Sequence, residues 1–273
     1  MEIIKSPDNK NVKRVMKLLE KSKARQKEDC FVCEGIREVS EVKAEDLDTL
    51  IMSESFFKDF KDYALKVSSK NADLNNIGNL MDKKETIVFS DSVFKKASDT
   101  VSPQGVMAIV KMRHVSLDEL LSDDYKTDRG KNIIMILEDI QDPGNIGTII
   151  RTGEAAGVKG FILSKGCVDI YNPKVVRSTM GSLLRSNIYV SDDLIKDMEI
   201  IKDKYVVYAA HLEGNKYYNE IDYPNNYGFI IGNEGRGISE ELAKMAHEYV
   251  KIPMYGKSES LNAAIAAAIL MYA

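Results

Sequence analysis

The sequence holds no apolar run of about 18 residues, the length a membrane-crossing helix needs, so no transmembrane segment and no membrane partner are expected. The first residues, MEIIKSPDNKN, lack the apolar core of a secretory signal, so export is not expected. Cysteine is scarce: there are three, Cys30, Cys33 and Cys167. An odd count without a signal fits a reducing cytoplasm. Cys30 and Cys33 form a CxxC, but the second ligand pair of a structural zinc site is missing. A redox pair opens a helix, whereas FVCEG reads as strand, so two small buried thiols are the favoured reading. The sequence shows no metal-ligand cluster, and no metal is expected. The GxGxxG of a dinucleotide site is also missing: Gly144-Asn145-Ile146-Gly147 lacks the remainder. Internal repeats and low-complexity tracts are absent.

What is present is an ordinary globular composition, 44% hydrophobic and 29% charged over 273 residues, a length that suits two modest domains. The net charge of −4 counts against a nucleic-acid binder, but the charge is unevenly spread. Residues 1–27 carry nine Lys and Arg against three acids. Val12, Val15, Met16 and Leu19 mark the apolar stripe of a helix there. Lys13, Arg14, Lys17 and Lys21 fall off it toward solvent, with Arg25 following. Charge alone leaves two readings open, a phosphate-binding patch and a solvated helix face.

Short strands and mixed helices through VSPQGVMAIVKM give residues 1–115 the texture of a small α/β domain. Residues 116–131 are charged and read as a linker. From residue 132 to 273 the pattern changes to buried apolar runs (NIIMILED, GFILS, KYVVYAAHLEG, YGFIIGNEG, EYVKIPM) separated by helices. That alternation predicts a parallel sheet covered on both faces.

Three segments of this second domain carry chemistry. In ILEDIQDPGNIGTIIRTGEAAG a strand ends at Glu138, Asp142-Pro143-Gly144-Asn145 reads as a turn, and a helix follows with Asn145 as its cap and Arg151 further along. Ligands of open α/β sheets sit at such carboxyl ends. Taken alone, a capping Asn and a surface Arg leave the segment undecided. In FIIGNEGRGISEELA, Gly232, Gly235 and Gly237 allow close backbone approach, Ser239 is a helix cap, and Glu234 suits a site better than a core. In VKIPMYGKSESLNAAIAAAILMYA a loop leads to a small-residue helix beginning near Leu261, with Leu261, Ile265, Ala268, Ile269 and Tyr272 as its apolar stripe. Ser260 and Asn262 could simply cap it.

In order and content, DPGNIGTIIRT, GNEGRGIS and IPMYGKSESLN resemble the three signature motifs of the SpoU/TrmH family of RNA 2′-O-ribose methyltransferases. The N-terminal phrases SPDNKNVKRVMKL, RQKEDCFVCEGIREV and VSPQGVMAIV are similar to the RNA-binding domain of its rRNA-modifying members. The resemblance implies a trefoil-knotted, parallel-sheet α/β domain with S-adenosylmethionine as methyl donor and no metal. It further implies a homodimer and an RNA substrate, rRNA ahead of tRNA. Gly232, Ile252, Met254 and Leu261 match donor-binding positions. Arg151 matches the residue closest to chemistry, and Asn145, Glu234, Ser260 and Asn262 match polar site positions. Arg177 falls where the family often has an RNA-facing arginine. Departures are Gly153 for a common alanine, Ala263-Ala264 after Asn262, and the stop at Ala273.

Methyl transfer to a hydroxyl is an in-line displacement, in which alignment can supply up to about 7–11 kcal/mol. The family proposal has Arg151 and an RNA phosphate draw off the ribose proton. Arginine stays protonated, so a bidentate phosphate clamp is the milder role. The rival of another class is a non-catalytic RNA-binding ribosome-assembly protein on the same fold.

Overall fold

The computed structural model describes residues 2–66, 72–122 and 130–273. Part of the expected 116–131 linker, residues 123–129, lies outside them. The chain forms two compact units, one of residues 1–113 with 171–184, the other of 114–170 with 185–273.

In chain order the elements up to residue 113 are β1 (Ile3–Ile4), α1 (Lys10–Glu20), α2 (Ser22–Glu28), β2 (Cys30–Glu34), α3 (Ile36–Ser40), β3 (Leu47–Ser53), α4 (Glu54–Lys66), α5 (Ala72–Lys83), β4 (Thr86–Phe89), α6 (Asp91–Ala97) and β5 (Val106–Lys111). The sheet order is β1-β4-β3-β5-β2, with β5 antiparallel to both neighbours. Asn9 starts α1 by accepting the N–H of Asn11. Its buried stripe is Val12, Val15 and Leu18, which pack on Ile51, Phe89 and Ile109; Met16 and Leu19 are only half-buried. Cys30 and Cys33 are buried thiols three apart on β2, hence on opposite faces.

The remaining elements are α7 (Leu117–Leu121), β6 (Asn132–Leu137), α8 (Pro143–Ala155), β7 (Gly160–Ser164), α9 (Pro173–Thr179), α10 (Ser182–Arg185), β8 (Ile188–Ser191), α11 (Leu194–Lys204), β9 (Val206–Ala210), β10 (Lys216–Tyr217), β11 (Asn226–Ile231), α12 (Glu240–Ala243), β12 (Glu248–Lys251) and α13 (Ala263–Met271). The second unit is a seven-stranded sheet, β10-β12-β9-β11-β6-β7-β8, in which every pairing is parallel. Its central strands are buried along their length, as their unbroken apolar sequences require. The loops after β6, β11 and β12 therefore open at the same edge, the carboxyl ends of the strands.

Candidate active site

Helix α8 begins earlier than the turn chemistry predicts. Pro143 occupies the first helical position, where its missing N–H costs nothing, and Asp142 is the cap, accepting the N–H of Asn145 at 2.8 Å. The cap assigned to Asn145 thus belongs to Asp142, which leaves the Asn145 side chain for other partners. Its Nδ2 donates to Glu234 Oε1 at 2.9 Å, and its Oδ1 accepts from Asn262 Nδ2 at 2.9 Å. Asn262 is held in turn, because its Oδ1 caps α13 by accepting the N–H groups of Ala264 and Ile265.

Glu234 also accepts the backbone N–H of Asp142 at 3.3 Å and of Gln141 at 3.4 Å. Burial alone would raise its pKa, but the Asn145 amide and these N–H groups outweigh that and lower it, so Glu234 is a carboxylate. One line of polar groups therefore joins the loops after β6, β11 and β12.

The loop after β11 is built from its own backbone. Asn233 Oδ1 accepts the N–H groups of Gly235 and Arg236, and its Nδ2 donates to the Asp139 carbonyl at 2.8 Å. Asn233 and Gly237 pair backbone to backbone, and Gly237 lies at φ +70. A Cβ on Gly232 would come within 2.2 Å of backbone atoms of Gly237 and Ile238, so only glycine fits there. Ser239 caps α12 by accepting the Leu242 N–H, while its own N–H and Oγ donate to Glu138 at 2.7 and 2.6 Å.

The loops after β9, β11 and β12 surround a cavity of about 410 Å³. Gly232, Glu234, Ile252, Met254, Ser260 and Leu261 all line it. The SpoU rRNA Methylase family matches residues 132–272, and an MRM3-like substrate binding domain matches residues 9–108.

The chain belongs to the SpoU rRNA methylase family.

The 23S rRNA (guanosine(2553)-2′-O)-methyltransferase RlmP of Bacillus subtilis is 34% identical over 190 residues, covering 68% of this chain and 70% of that protein. The AdoMet-bound rRNA methyltransferase from Sinorhizobium meliloti matches with a TM-score of 0.79 at 26% identity, over 99% of this chain and 96% of the other. The SpoU methyltransferase AviRb from Streptomyces viridochromogenes, in complex with the cofactor AdoMet, matches at 0.78 and 25% identity, over 97% and 96%.

Within this SpoU framework the other expected residues fall apart into groups. Arg151 is exposed on α8, on the same face as Thr148 and about 9 Å along the axis from Asn145. Lys13, Lys17 and Lys21 are exposed in the first unit. Arg14 is half-buried between Glu28 and Asp48, each at 2.7 Å. Arg25 is a correction: it is 2% exposed and its guanidinium donates to the carbonyls of Leu18 and Leu19, so it closes the α1–α2 corner and faces no solvent. Arg177, on α9, ion-pairs with Asp99 inside the first unit.

The stripe expected on the last helix is also corrected. Leu261, Ile265 and Tyr272 are exposed, whereas Ala263, Ala264, Ala267, Leu270 and Met271 are buried. Sequence reasoning missed Glu138, Asp142 and Asn233, which shape the loops. The acids that close the β6 run and the Asp-Pro pair were the available signals.

Proposed function

We propose that this chain transfers a methyl group from S-adenosylmethionine to a ribose 2′-hydroxyl in ribosomal RNA. The observation that carries the reading is the hydrogen-bonded line Glu234–Asn145–Asn262, which ties the three family motifs together beside one cavity. That cavity falls in the 300–1,000 Å³ range of small-molecule sites. Its lining fits the donor: apolar Ile252, Met254 and Leu261 for a purine, crowded backbone at Gly232, and polar Ser260 and Glu234. Bound S-adenosylmethionine supplies a methyl already activated by its sulfonium.

The chain's own residues then have two tasks. The backbones at Gly232, Ile252, Met254 and Leu261 would hold the adenosine, with Glu234 and Asn145 fixing loop geometry and Ser260 and Asn262 ordering the last motif. Arg151 would clamp an RNA phosphate with its planar fork, orient the nucleotide and stabilise the developing alkoxide; the proton leaves to phosphate or water. In this reading residues 1–115 grip the RNA, with Lys13, Lys17 and Lys21 meeting phosphate, and residues 132–273 carry the chemistry.

Two finer features belong to the same proposal. The exposed apolar face of α13, with Ile265 half-exposed and Tyr272 beside it, supports pairing with a second copy. A trefoil knot of the C-terminal strands is supported by the course of the chain after β12, which returns to the start of α8 at Asn145 and then packs α13 on α8 and β11. The three cysteines, all thiols, fit a reducing cytoplasm.

The test is transfer of labelled methyl from S-adenosylmethionine to unmodified 23S rRNA and to tRNA, with Arg151→Ala as control. Label in rRNA that makes the linkage alkali-stable, and is absent with the variant, is expected. Folded protein that labels neither RNA overturns the reading.

A further inference from the structure

Arg236 stands in the loop after β11 with its backbone held and its side chain extended. Its N–H donates to Asn233 Oδ1 at 3.1 Å, beside that of Gly235 at 3.0 Å. Asn233 and Gly237 close the turn around it with two backbone bonds, at 3.0 and 2.9 Å. Beyond that fixed base the side chain is 73% exposed, and Arg236 lines the cavity of about 410 Å³.

The guanidinium has an ion-pair partner in Asp139, 3.5 Å away. That distance is long for a charge-assisted hydrogen bond, and exposed pairs of this kind contribute little. Asp139 does not depend on the pair. It sits at φ +53, where its Oδ1 accepts the Ser164 hydroxyl at 2.7 Å, its N–H donates to Ser164 Oγ at 2.8 Å and its carbonyl accepts from Asn233 at 2.8 Å. Arg236 can therefore exchange Asp139 for another carboxylate without undoing the loop.

The other charged groups on the cavity wall are committed or have the wrong sign for an anion. Glu234 holds the Asn145 amide and two backbone N–H groups. Lys251 Nζ lies over the Tyr217 ring, 4.9 Å from its centre. Glu259 is an acid. Ile252, Met254 and Leu261 are apolar and offer an anion nothing. Among the described lining residues, Arg236 is the cation placed to receive one. S-Adenosylmethionine brings a single anionic group, the carboxylate of its methionyl tail. A carboxylate moved from water to such a wall needs donors, and a guanidinium fork supplies two parallel N–H groups.

We propose that Arg236 binds the methionyl carboxylate of S-adenosylmethionine and so selects, among adenosine sulfur compounds, those that carry an amino-acid tail. An RNA phosphate is the other anion a guanidinium could meet. The carboxylate is favoured because Arg236 shares one cavity with Gly232, Ile252, Met254 and Leu261. The proposal rests on S-adenosylmethionine being the methyl donor and adds a residue that recognises its tail.

The test is calorimetry on the full chain with two probes. S-Adenosylhomocysteine keeps the amino-acid tail, and 5′-methylthioadenosine has the same adenosine and a thioether but no tail. Arg236→Ala is expected to weaken S-adenosylhomocysteine about tenfold and to leave 5′-methylthioadenosine within about twofold, as loss of one hydrogen bond to a charged group would. Unchanged binding of the second probe shows at the same time that the cavity is folded. Asp139→Asn removes the competing carboxylate and keeps a residue type that tolerates a positive φ. It is expected to hold or raise the preference for S-adenosylhomocysteine over 5′-methylthioadenosine, and a reduced preference overturns the proposal. So does Arg236→Ala if it changes that preference by less than about threefold, including the case in which it weakens only binding of a 23S rRNA transcript and thereby assigns the guanidinium to phosphate. In those cases a wild type that still binds both probes keeps the methyltransferase reading. A folded wild type that binds neither probe, nor S-adenosylmethionine itself, removes both.

Discussion

Asn262 donates to Asn145 at 2.9 Å across 117 positions of sequence, and the direction of that bond is fixed from both sides. The N–H groups at the start of α13 occupy the Asn262 oxygen, so only its amide nitrogen can face Asn145. Asn145 must then present its oxygen to Asn262 and its nitrogen to the Glu234 carboxylate. An aspartate at 145 would set two carboxylates against each other. Asn145→Asp is expected to lower methyl transfer at least about a hundredfold, the scale of a lost hydrogen bond to a charged group plus repulsion. Adding Glu234→Gln restores a donor opposite that acceptor. A double-mutant cycle should show coupling of about 1–3 kcal/mol, and simple additivity of the two losses would rule the network out.

Arg151 lies outside that network and is exposed, so its removal should leave the fold intact. Arg151→Ala is expected to cut methyl transfer by about 100-fold or more at unchanged melting temperature and unchanged donor affinity. Arg151→Lys keeps the charge and loses the fork, and should also fall sharply. Near wild-type activity in the lysine variant would mean that charge alone suffices.

Two glycines test whether a neighbour can yield. At Gly232 an added Cβ meets backbone of residues 237–238 at 2.2 Å, whereas at Gly153 it meets the tip of the Phe161 ring at 2.5 Å. A ring can shift and a paired backbone cannot. Gly153→Ala should destabilise by about 1–3 kcal/mol in urea melts. Gly232→Ala should cost more and abolish the calorimetric signal with S-adenosylmethionine. Equal and small losses in both would contradict this account of the loop.

The outward face of α13 gives a test of assembly. Ile265 is half-exposed, so Ile265→Asp breaks no core contact on which the monomer depends. Sedimentation is expected to show a dimer for the wild type and a monomer for the variant. A wild type that sediments as a monomer at micromolar concentration removes the dimer from the proposal.

Glu38 makes stability depend on pH in the first unit. Burial raises its folded pKa to about 7, above the ordinary 4.5. The folded chain therefore binds the extra proton between those values, and this stabilisation, complete below about 4.5, is lost as pH rises through about 7. Across that window Glu38→Gln should lose less stability than the wild type. Parallel stability curves for the two proteins would show that Glu38 carries no such proton.

The local sequence was enough for whatever depends on neighbours in the chain: the buried parallel strands, the glycine loop, the Ser239 cap and the three motifs with their polar residues. Even the true cap of α8 was signalled by Asp142-Pro143, since proline suits the first helical position. Three things waited for the tertiary structure. Helix α13 is AAIAAAILM, apolar at every position, so no periodicity marks a buried side. Packing against α8 and β11 chose Ala263, Ala267 and Leu270, and left Ile265 outside. Arg25 looked like one more cation in a basic run, but at the α1–α2 corner two carbonyls needed a donor and took it inward. Asn145, Glu234 and Asn262 were each visible as polar residues. Which atom of each faces which neighbour was decided only when three distant loops came to the same edge of one sheet.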